Sequence, residues 1–300
     1  MKAVQFAEYG GPEVLQVVEV AEPHAGAGQV RITVRAAGVN GLDWKIRAGY
    51  LREQMPLPLP AGTGLDAAGV VDEVGDGVTG VAVGDAIFGS GSATLAEYAV
   101  LTSWAAKPAD LSFEEAAGYA IPAETALRII NQIGVQSGET LLVSGAGGGV
   151  GSAVLQIARD RGIFVIGTAS ARNQGYLRSL GATPTTYGDG LVERVRALAP
   201  NGIDAALDIA GSGVIPELIA LTGEPGKVLS IADFSAPQHG AQVSATATNM
   251  SDALAEAARL FAAGTFSIPV EKTFSLAEAA DAQTASAAGH VTGRFVIVVS

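Results

Sequence analysis

The sequence predicts an α/β protein in which a doubly wound parallel sheet follows a small antiparallel β-barrel. Within residues 1–121, short segments of alternating apolar and polar residues are separated by glycine-rich turns. From Pro122 onward, short apolar runs alternate with segments that have apolar residues at helical spacing. Alternation of period two is typical of half-buried strands. Regular alternation of strand and helix is typical of a parallel sheet.

The amino-terminal strands are predicted from period-two alternation and from the turn residues that bound it. A turn at Pro23–Gly26 separates the first two strands, and the pattern then continues through two later segments. The predicted segments are Val14–Val20, Val30–Ala37, Gly80–Gly89 and Leu95–Leu101. Several short strands joined by glycine-rich turns predict a small antiparallel barrel.

The second half of the chain predicts two successive βαβαβ units, the pattern of a doubly wound sheet. The predicted strands are Thr140–Gly145, Phe164–Thr168, Thr185–Tyr187, Ile203–Gly211 and Lys227–Ala232, with a possible sixth at Ala241–Ala247. The predicted helices are Val150–Gly162, Asn173–Ala182, Leu191–Pro200, Gly213–Gly223 and Ser251–Ala263.

After Gly264 the pattern changes again, to Pro269–Leu276, a helix, and a final strand in Gly293–Ser300. A terminal strand of this kind is expected to return to the first domain. The predicted domains are therefore 1–121 for the barrel, 122–264 for the parallel sheet, and 265–300 for the return.

Composition excludes several classes of function. The chain has 18 Lys and Arg against 30 Asp and Glu, a net charge of −12, and no basic run. Binding to nucleic acid or to an anionic membrane is therefore not expected, because phosphate binding needs clustered cations. The chain has no cysteine, which excludes disulfides, thiolate nucleophiles and thiolate zinc sites. The amino terminus has no signal-peptide pattern, and a cytoplasmic protein is expected.

A glycine-rich turn follows the first strand of the parallel sheet. Gly145–Gly151 reads GAGGGVG and leads into a helix, so that Ala146–Gly151 gives A-x-G-x-x-G rather than G-x-G-x-x-G. A tight turn, a close approach of the backbone and a helix N-terminus can bind a pyrophosphate without charged side chains. The strand, turn and helix supply the context that the motif requires. The alternative is a turn that binds no ligand. The expected contacts are Ala146, Gly147, Gly148, Gly149 and Val150.

The end of the second parallel strand indicates which cofactor binds. A carboxylate at this place would bind the ribose 2′-hydroxyl and select NAD. The segment Gly167–Gly175 reads GTASARNQG and has no acidic residue, but it contains Ser170 and Arg172. A hydroxyl and a guanidinium suit a 2′-phosphate, so the sequence predicts NADPH. The alternative is that Arg172 is only a solvated residue at a helix start.

Together these residues resemble the medium-chain dehydrogenase/reductase superfamily, in particular its zinc-free quinone oxidoreductase (zeta-crystallin-like) branch. The resemblance covers the whole chain and is most specific at Gly138–Arg159, GETLLVSGAGGGVGSAVLQIAR. Ala36–Tyr50 and Ser179–Ala182 match as well. The resemblance implies a Rossmann domain that binds the nucleotide and a GroES-like β-barrel domain that performs catalysis.

The resemblance also implies a zinc-independent enzyme. Zinc-dependent members have a Gly-His-Glu motif where this chain reads Gly64-Leu65-Asp66, and a cysteine ligand where this chain has Asn40. With both ligands replaced, no metal site is expected. Asp66 is expected to turn the chain and to make local hydrogen bonds, with a minor possibility that it faces the active site.

Site residues follow in part from this likeness. Asn40 is expected to hold the nicotinamide ribose or a substrate oxygen, or otherwise to cap a loop. Tyr50 is expected to donate a hydrogen bond to substrate, or otherwise only to pack. Asp43 and Lys45 read as an ion pair or as solvated residues. The resemblance also implies that Thr125 contacts the phosphates on the nicotinamide side. It implies that Tyr187 lies near the 2′-phosphate, although Thr186 stands where family members usually have an aspartate before this tyrosine. The nicotinamide end is expected to be lined by Asp208, Ile209, Ala210, Ser230, Ile231 and Ala232.

The leading hypothesis is an NADPH-dependent oxidoreductase that transfers hydride to a quinone or an α,β-unsaturated carbonyl. Without a Lewis acid, reduction of an enone is easier than oxidation of an alcohol, because the negative charge is delocalised onto oxygen. The first alternative is an enoyl-thioester reductase of the same fold. The second is a non-catalytic NADPH-binding structural or sensor protein. The expected partners are a small-molecule substrate and a second copy of the chain, in a homodimer formed through Ala241–Ala247.

Overall fold

The computed structural model describes residues 1–244 and 249–299. Its strands are β1 Lys2–Phe6, β2 Leu15–Glu19, β3 Val30–Val39, β4 Ala61–Gly62, β5 Asp66–Val74, β6 Ala86–Gly91, β7 Tyr98–Ala106, β8 Thr140–Ser144, β9 Phe164–Thr168, β10 Thr183–Thr185, β11 Ala205–Asp208, β12 Val228–Ser230, β13 Gln242–Val243, β14 Val270–Ser275 and β15 Arg294–Val298. Its α-helices are α1 Gly41–Arg47, α2 Phe113–Ala116, α3 Ala120–Ile133, α4 Gly149–Asp160, α5 Gln174–Ser179, α6 Leu191–Leu198, α7 Ile215–Thr222, α8 Met250–Ala262 and α9 Ala279–Ala288. Among the described residues, no helix has both the length and the apolar character that crossing a membrane requires.

The chain divides into two compact units. Unit 1 contains Met1–Ile121, Met250–Ala262 and Ile268–Ser300, and unit 2 contains Pro122–Asn249 and Ala263–Ser267. Helix α8, which the sequence places in the parallel-sheet domain, therefore belongs to unit 1. It packs against β7, and the ring of Phe261 lies 6.4 Å from that of Tyr119. Helical periodicity predicts the apolar face of this helix, but it does not predict which core that face joins.

Unit 1 contains a six-stranded sheet in the order β14-β15-β3-β5-β6-β7, and β3 also pairs with β7. The four strands β3, β5, β6 and β7 therefore form a closed circuit of antiparallel pairs. The carboxyl-terminal strand β15 pairs with β3, residue Ile297 opposite Ala37. A smaller sheet has the order β2-β1-β4. Buried residues of the larger sheet, such as Ile32 and Ile297, form the core of this unit.

Unit 2 is built on a six-stranded parallel sheet in the order β10-β9-β8-β11-β12-β13. The predicted doubly wound sheet is confirmed. From β8, successive strands are added first toward one edge of the sheet (β9, β10) and then, from β11 onward, toward the other edge. Ligands of such sheets bind outside the carboxyl ends of the strands at this change of direction, between β8 and β11. Leu141, Leu142 and Val143 of the central strand are fully buried, as expected for a parallel strand covered on both faces.

The third and sixth strands of the parallel sheet differ from the predicted segments, and β11 and β12 are shorter than predicted. The third parallel strand is Thr183–Thr185, so Tyr187 lies beyond its end rather than within it. Pro184 is tolerated because β10 is an edge strand, and it obscures the β pattern in the sequence. The sixth strand is present at Gln242–Val243, and the predicted residues 245–247 lie outside the described part of the chain.

Candidate functional site

The turn after β8 is fixed by backbone contacts to β9 and to its own helix. Gly145 has φ +86°, which is a conformation that favours glycine. The backbone N–H of Ala146 donates to the carbonyl of Thr168 at 2.9 Å. A Cβ atom on Gly151 would lie 2.5 Å from the carbonyl oxygen of Gly145. These contacts explain why the turn has glycine at Gly145, just before the motif, and at Gly151, the last position of the motif.

Helix α4 begins directly after this turn. Gly148 precedes it in an extended conformation, and the helix starts at Gly149. The N–H groups in the first turn of an α-helix have no acceptor within the helix, and the helix dipole is positive at this end. The backbone N–H groups of residues 147–150 therefore lie at the carboxyl edge of the parallel sheet, beside its change of direction, whereas the N–H of Ala146 is already donated to Thr168. This arrangement can bind an anionic group such as a pyrophosphate.

The hydroxyl of Ser170 lies just beyond the carboxyl end of β9. Its Oγ atom is buried and has no hydrogen-bond partner among the described residues. Arg172 is exposed, two positions further along. An unpartnered buried hydroxyl usually indicates that a ligand or a water satisfies it. Ser170 and Arg172 thus lie at the carboxyl edge, as predicted, and no acidic residue lies between Gly167 and Gly175.

Tyr187 lies in the neighbouring loop, after β10, and is 51% exposed. Strands β9 and β10 are adjacent and parallel, so the loops that follow them leave the sheet at the same edge. The backbone N–H of Ala169 donates to the carbonyl of Thr185 at 3.1 Å. The structure therefore brings the segment with Ser170 and Arg172 beside the segment with Tyr187.

The carboxyl ends of β11 and β12 are joined by side-chain hydrogen bonds. The Ser230 hydroxyl donates to Asp208 Oδ2 at 2.8 Å, and the Gly211 N–H donates to Asp208 Oδ1 at 3.0 Å. Burial raises the pKa of Asp208, and these donors oppose the rise. The segments 208–210 and 230–232, with Ile209, Ala210, Ile231 and Ala232, are thus adjacent at the expected edge. Thr125, which the resemblance implies at the opening of the helix that leads into the nucleotide domain, is buried within α3, a helix that already begins at Ala120.

Asn40 of unit 1 is 3% exposed and is bonded on both sides of its amide. Its Nδ2 donates to Asp66 Oδ1 at 2.7 Å, and its Oδ1 accepts from Arg294 Nη1 at 2.8 Å. Its backbone N–H donates to Asp43 Oδ2 at 2.8 Å. The four residues Asn40, Asp43, Asp66 and Arg294 form what we call the buried polar cluster.

Asp66 has a different role from the one predicted. It begins strand β5 rather than a turn, and it is fully buried. Its Oδ2 lies 3.1 Å from Arg294 Nη2, so its main partner is a guanidinium from the last strand. A Cβ on Gly38 would lie 2.5 Å from both groups, so that glycine leaves the room for the pair. Burial raises the pKa of Asp66, and Arg294 opposes the rise.

Asp43 is neither solvated nor an exposed partner of Lys45. It is 2% exposed, and its Oδ1 has no hydrogen-bond partner among the described residues. Burial, together with the charge of Asp66, raises the pKa of Asp43 to about 7, although the hydrogen bond from Asn40 opposes the rise. Lys45 instead lies over the ring of Trp44, with Nζ 5.7 Å from its centroid.

Tyr50 lies outside the buried polar cluster. It is 69% exposed, and its ring meets that of Trp44 edge-on, with the centroids 5.9 Å apart. Asn40 and Tyr50, the two predicted catalytic residues, thus differ strongly in accessibility. Arg294 was not predicted. The only signal for it is an arginine at the head of the apolar run RFVIVV, which is unusual for a buried strand.

Among residues 1–244 and 249–299, no three His, Cys, Asp or Glu side chains are grouped as they would be to hold a metal ion. Leu65, at the position of the histidine in zinc-dependent relatives, makes backbone contacts to the next strand. Its carbonyl accepts from the Gly91 N–H at 3.0 Å.

Comparisons with known proteins agree with this architecture. Residues 26–110 match the model of the alcohol dehydrogenase GroES-like domain, and residues 180–297 match that of the zinc-binding dehydrogenase family. The human quinone oxidoreductase is 33% identical over 241 residues, which cover 77% of this chain and 73% of the human protein. The tomato 2-methylene-furan-3-one reductase is 34% identical over 254 residues, 79% of this chain and 63% of that protein. A mycobacterial protein solved in complex with NADPH is 27% identical, with a TM-score of 0.87 over 99% of this chain and 100% of that one.

Proposed function

The chain belongs to the zinc-free quinone oxidoreductase branch of the medium-chain dehydrogenase/reductase superfamily, and from this premise we propose that it is an NADPH-dependent reductase of quinones or α,β-unsaturated carbonyls. The observation that supports this most directly is the carboxyl edge of the parallel sheet. There, β8 leads through the glycine-rich turn into the N-terminus of α4, and the adjacent strand β9 leads to the unpartnered hydroxyl of Ser170.

NADPH fits this edge better than NADH does. The backbone donors of residues 147–150 suit the pyrophosphate, which Ala146 can contact only through its other atoms because its N–H is bonded to Thr168. The hydroxyl of Ser170 and the guanidinium of Arg172 suit a 2′-phosphate. Tyr187 contributes an exposed ring in the adjacent loop. No acidic residue of Gly167–Gly175 is present to bind a free 2′-hydroxyl or to repel the phosphate. The mycobacterial relative in complex with NADPH supports the same assignment.

The reaction is a hydride transfer to a conjugated carbonyl or quinone. When bound, NADPH supplies the hydride, and the substrate oxygen becomes negatively charged as the hydride arrives. Asn40 can contribute because one Nδ2 hydrogen is donated to Asp66, which leaves a second for the nicotinamide ribose or for the substrate oxygen. The exposed hydroxyl of Tyr50 is the second candidate donor, and water supplies the proton that completes the reduction.

We also propose that the activity is independent of zinc, because Asn40 and Leu65 replace two ligands of zinc-dependent relatives and the chain has no cysteine. Elemental analysis of the purified protein is expected to give no stoichiometric zinc, and a chelator is expected to leave turnover unchanged. Activity that is lost with a chelator and restored by zinc would contradict this proposal.

A screen of co-substrates with NADPH tests the proposed reaction. Quinones, enones and enoyl thioesters are offered separately, and oxidation of NADPH is followed by its absorbance. The relation to a 2-methylene-furan-3-one reductase favours inclusion of exocyclic enones. Turnover of a quinone or an enone supports the proposal, whereas turnover of only enoyl thioesters favours the enoyl-thioester reductase. Tight binding of NADPH without turnover of any class favours the structural or sensor protein.

A further inference from the structure

We propose that Gln174 is a positioning residue that determines how strongly the protein prefers NADPH to NADH. This inference rests on the proposed use of NADPH. Gln174 holds the loop after β9 against the loop after β10, so that Ser170, Arg172 and Tyr187 are presented together. We call these two segments, residues 169–172 and 185–189, the paired loops.

The side chain of Gln174 connects the paired loops directly. Its Nε2 donates to the carbonyl oxygens of Ala169 at 3.0 Å, Ser170 at 3.2 Å and Thr185 at 3.0 Å. An amide nitrogen has two hydrogens, so three acceptors require that one hydrogen be shared. Two of the acceptors belong to the loop after β9, and the third belongs to Thr185, the last residue of β10, from which the second of the paired loops continues. The side chain of Gln174 thus reinforces the backbone hydrogen bond from the Ala169 N–H to the Thr185 carbonyl, which joins the same two segments at 3.1 Å.

Arg194 likewise donates to backbone carbonyls, and all of its acceptors lie in the loop after β10. Its Nη2 donates to the carbonyls of Thr186 at 3.0 Å, Tyr187 at 3.4 Å and Gly188 at 3.2 Å, and its Nη1 donates to that of Asp189 at 2.6 Å. Together, the two side chains donate to the carbonyl oxygens of Ala169, Ser170 and residues 185–189. Carbonyl oxygens carry partial negative charge and repel a phosphate, so engaging them with donors makes the paired loops more suitable for an anion.

Within the paired loops, the hydroxyl of Ser170 is the group that we propose binds the 2′-phosphate. Its Oγ atom is buried without a hydrogen-bond partner among the described residues, while the carbonyl of the same residue is held by Gln174. A hydroxyl in this state can bind a ligand without first breaking a hydrogen bond to the protein, and the fixed backbone of Ser170 holds its oxygen in place. If Gln174 loses its donors, Ser170 and the segment leading to Arg172 are held less firmly, by the backbone hydrogen bonds from Asn173 to Ser170 and from Ala169 to Thr185.

The test is Gln174→Met, which keeps the length of the side chain and removes both donors. The dissociation constant for NADPH is expected to rise by about 3- to 10-fold, because loop ordering must then occur on binding. That for NADH is expected to change little, since NADH has no 2′-phosphate. Gln136→Met is the matched control. Gln136 also donates to a carbonyl, that of Gly134 at 2.6 Å, but it precedes β8 at the opposite edge of the sheet.

A double-mutant comparison shows whether Gln174 acts through the loop after β9. In the Arg172→Ala background, Gln174→Met is expected to lower the NADPH preference less than it does in the wild type, because part of its effect operates through Arg172. Gln174→Asn, which retains the amide but shortens its reach, provides a milder variant whose effect should have the same direction. Thermal unfolding of each variant checks that it is folded.

The two proposals can fail separately. If the wild type binds NADH as tightly as NADPH, the proposed cofactor is wrong. If the wild type prefers NADPH but Gln174→Met and Gln174→Asn both leave the ratio of the two constants unchanged, or if both cofactors weaken equally, only the role of Gln174 is wrong.

Discussion

At the scale of single residues, the buried carboxyl of Asp43 makes unit 1 sensitive to pH. Its pKa is raised to about 7 by burial and by the charge of Asp66, against a usual value of 3.8. The folded state therefore holds this proton more tightly than the unfolded state. The resulting stability is fully present below the unfolded pKa and is lost as the pH rises through the folded pKa.

The substitution Asp43→Asn is expected to remove this dependence, because the amide cannot ionise. From the unfolded pKa of 3.8 up to the folded pKa of about 7, the free energy of unfolding of the wild type should fall relative to that of the variant, by about 1.4 kcal/mol for each pH unit, and it should level off at higher pH. Denaturant unfolding at several pH values measures the difference. Parallel pH curves for the two proteins would contradict the raised pKa.

Arg294 compensates the charge of Asp66 inside the protein. Its removal by Arg294→Met leaves a buried carboxylate without a cation and is expected to cost about 3–5 kcal/mol of unfolding free energy. The same change at Arg259, whose pair with Glu256 is on the surface, should cost less than about 1 kcal/mol. If Arg294→Met combined with Asp66→Asn is as unstable as Arg294→Met alone, the loss does not come from the uncompensated charge.

The cofactor proposal gives a prediction at Arg172. A charge-assisted hydrogen bond to phosphate is worth about 1.5–3 kcal/mol, so Arg172→Ala should weaken NADPH binding by roughly 10- to 100-fold. NADH has no phosphate at this position, and its dissociation constant should change little. Binding titrations with both cofactors, on the wild type and the variant, measure the ratio. An unchanged ratio would mean that Arg172 does not contact the phosphate.

These residues differ in how far sequence can predict them. Asn40 was predicted from its position in a motif, but its partners come from distant parts of the chain. Arg294 lies 228 residues from Asp66, and no local pattern relates the two. Ser170 and Arg172 were predicted more easily, because the carboxyl ends of parallel strands meet at one edge whatever the details of packing.

At the scale of elements, the parallel strands were predicted well because they are short, apolar and bounded by glycine. The predicted Phe164–Thr168 is the observed β9, and Thr140–Gly145 exceeds β8 by one residue. Strand β10 was misplaced because its sequence, TPT, has no apolar residue. The helix predicted at Ser251–Ala263 is present as α8, but the unit against which it packs depends on tertiary contacts that periodicity does not encode.

The turn before α4 gives a prediction at this scale. Gly151→Ala places a Cβ 2.5 Å from the carbonyl oxygen of Gly145 and 2.6 Å from the backbone of Ala146, which can move only if the turn is distorted. Cofactor affinity is expected to fall by at least about 10-fold, since backbone donors must be placed correctly to bind the pyrophosphate.

Gly175→Ala is the matched control, because a Cβ there meets no atom within 4 Å. It lies in α5, where alanine is favoured over glycine by about 0.5–1 kcal/mol, so this variant should be slightly more stable and bind normally. Titration with NADPH and thermal unfolding of both variants test the pair. Normal affinity in Gly151→Ala would show that the turn is not part of the cofactor site.

At the scale of the whole molecule, the chain is expected to form an isologous homodimer through the edge of the parallel sheet. Strand β13 is the last strand of that sheet among the described residues and pairs with β12 alone. Exposed strand edges pair readily with other strands. Light scattering at micromolar concentration is expected to give twice the mass of the 30.2 kDa chain.

The acidity of the chain adds a condition to this prediction. Each protomer has a net charge of −12, so two protomers repel each other and association should strengthen as salt screens the charges.

Val243→Lys places a charge on β13 and is expected to weaken the dimer, since lysine on an edge strand opposes pairing. Val17→Lys, on the edge strand β2 of the smaller sheet, is the matched control and should leave the dimer intact. A monomeric mass at every salt concentration, or equal weakening by the two lysines, would exclude β13 as the dimer interface.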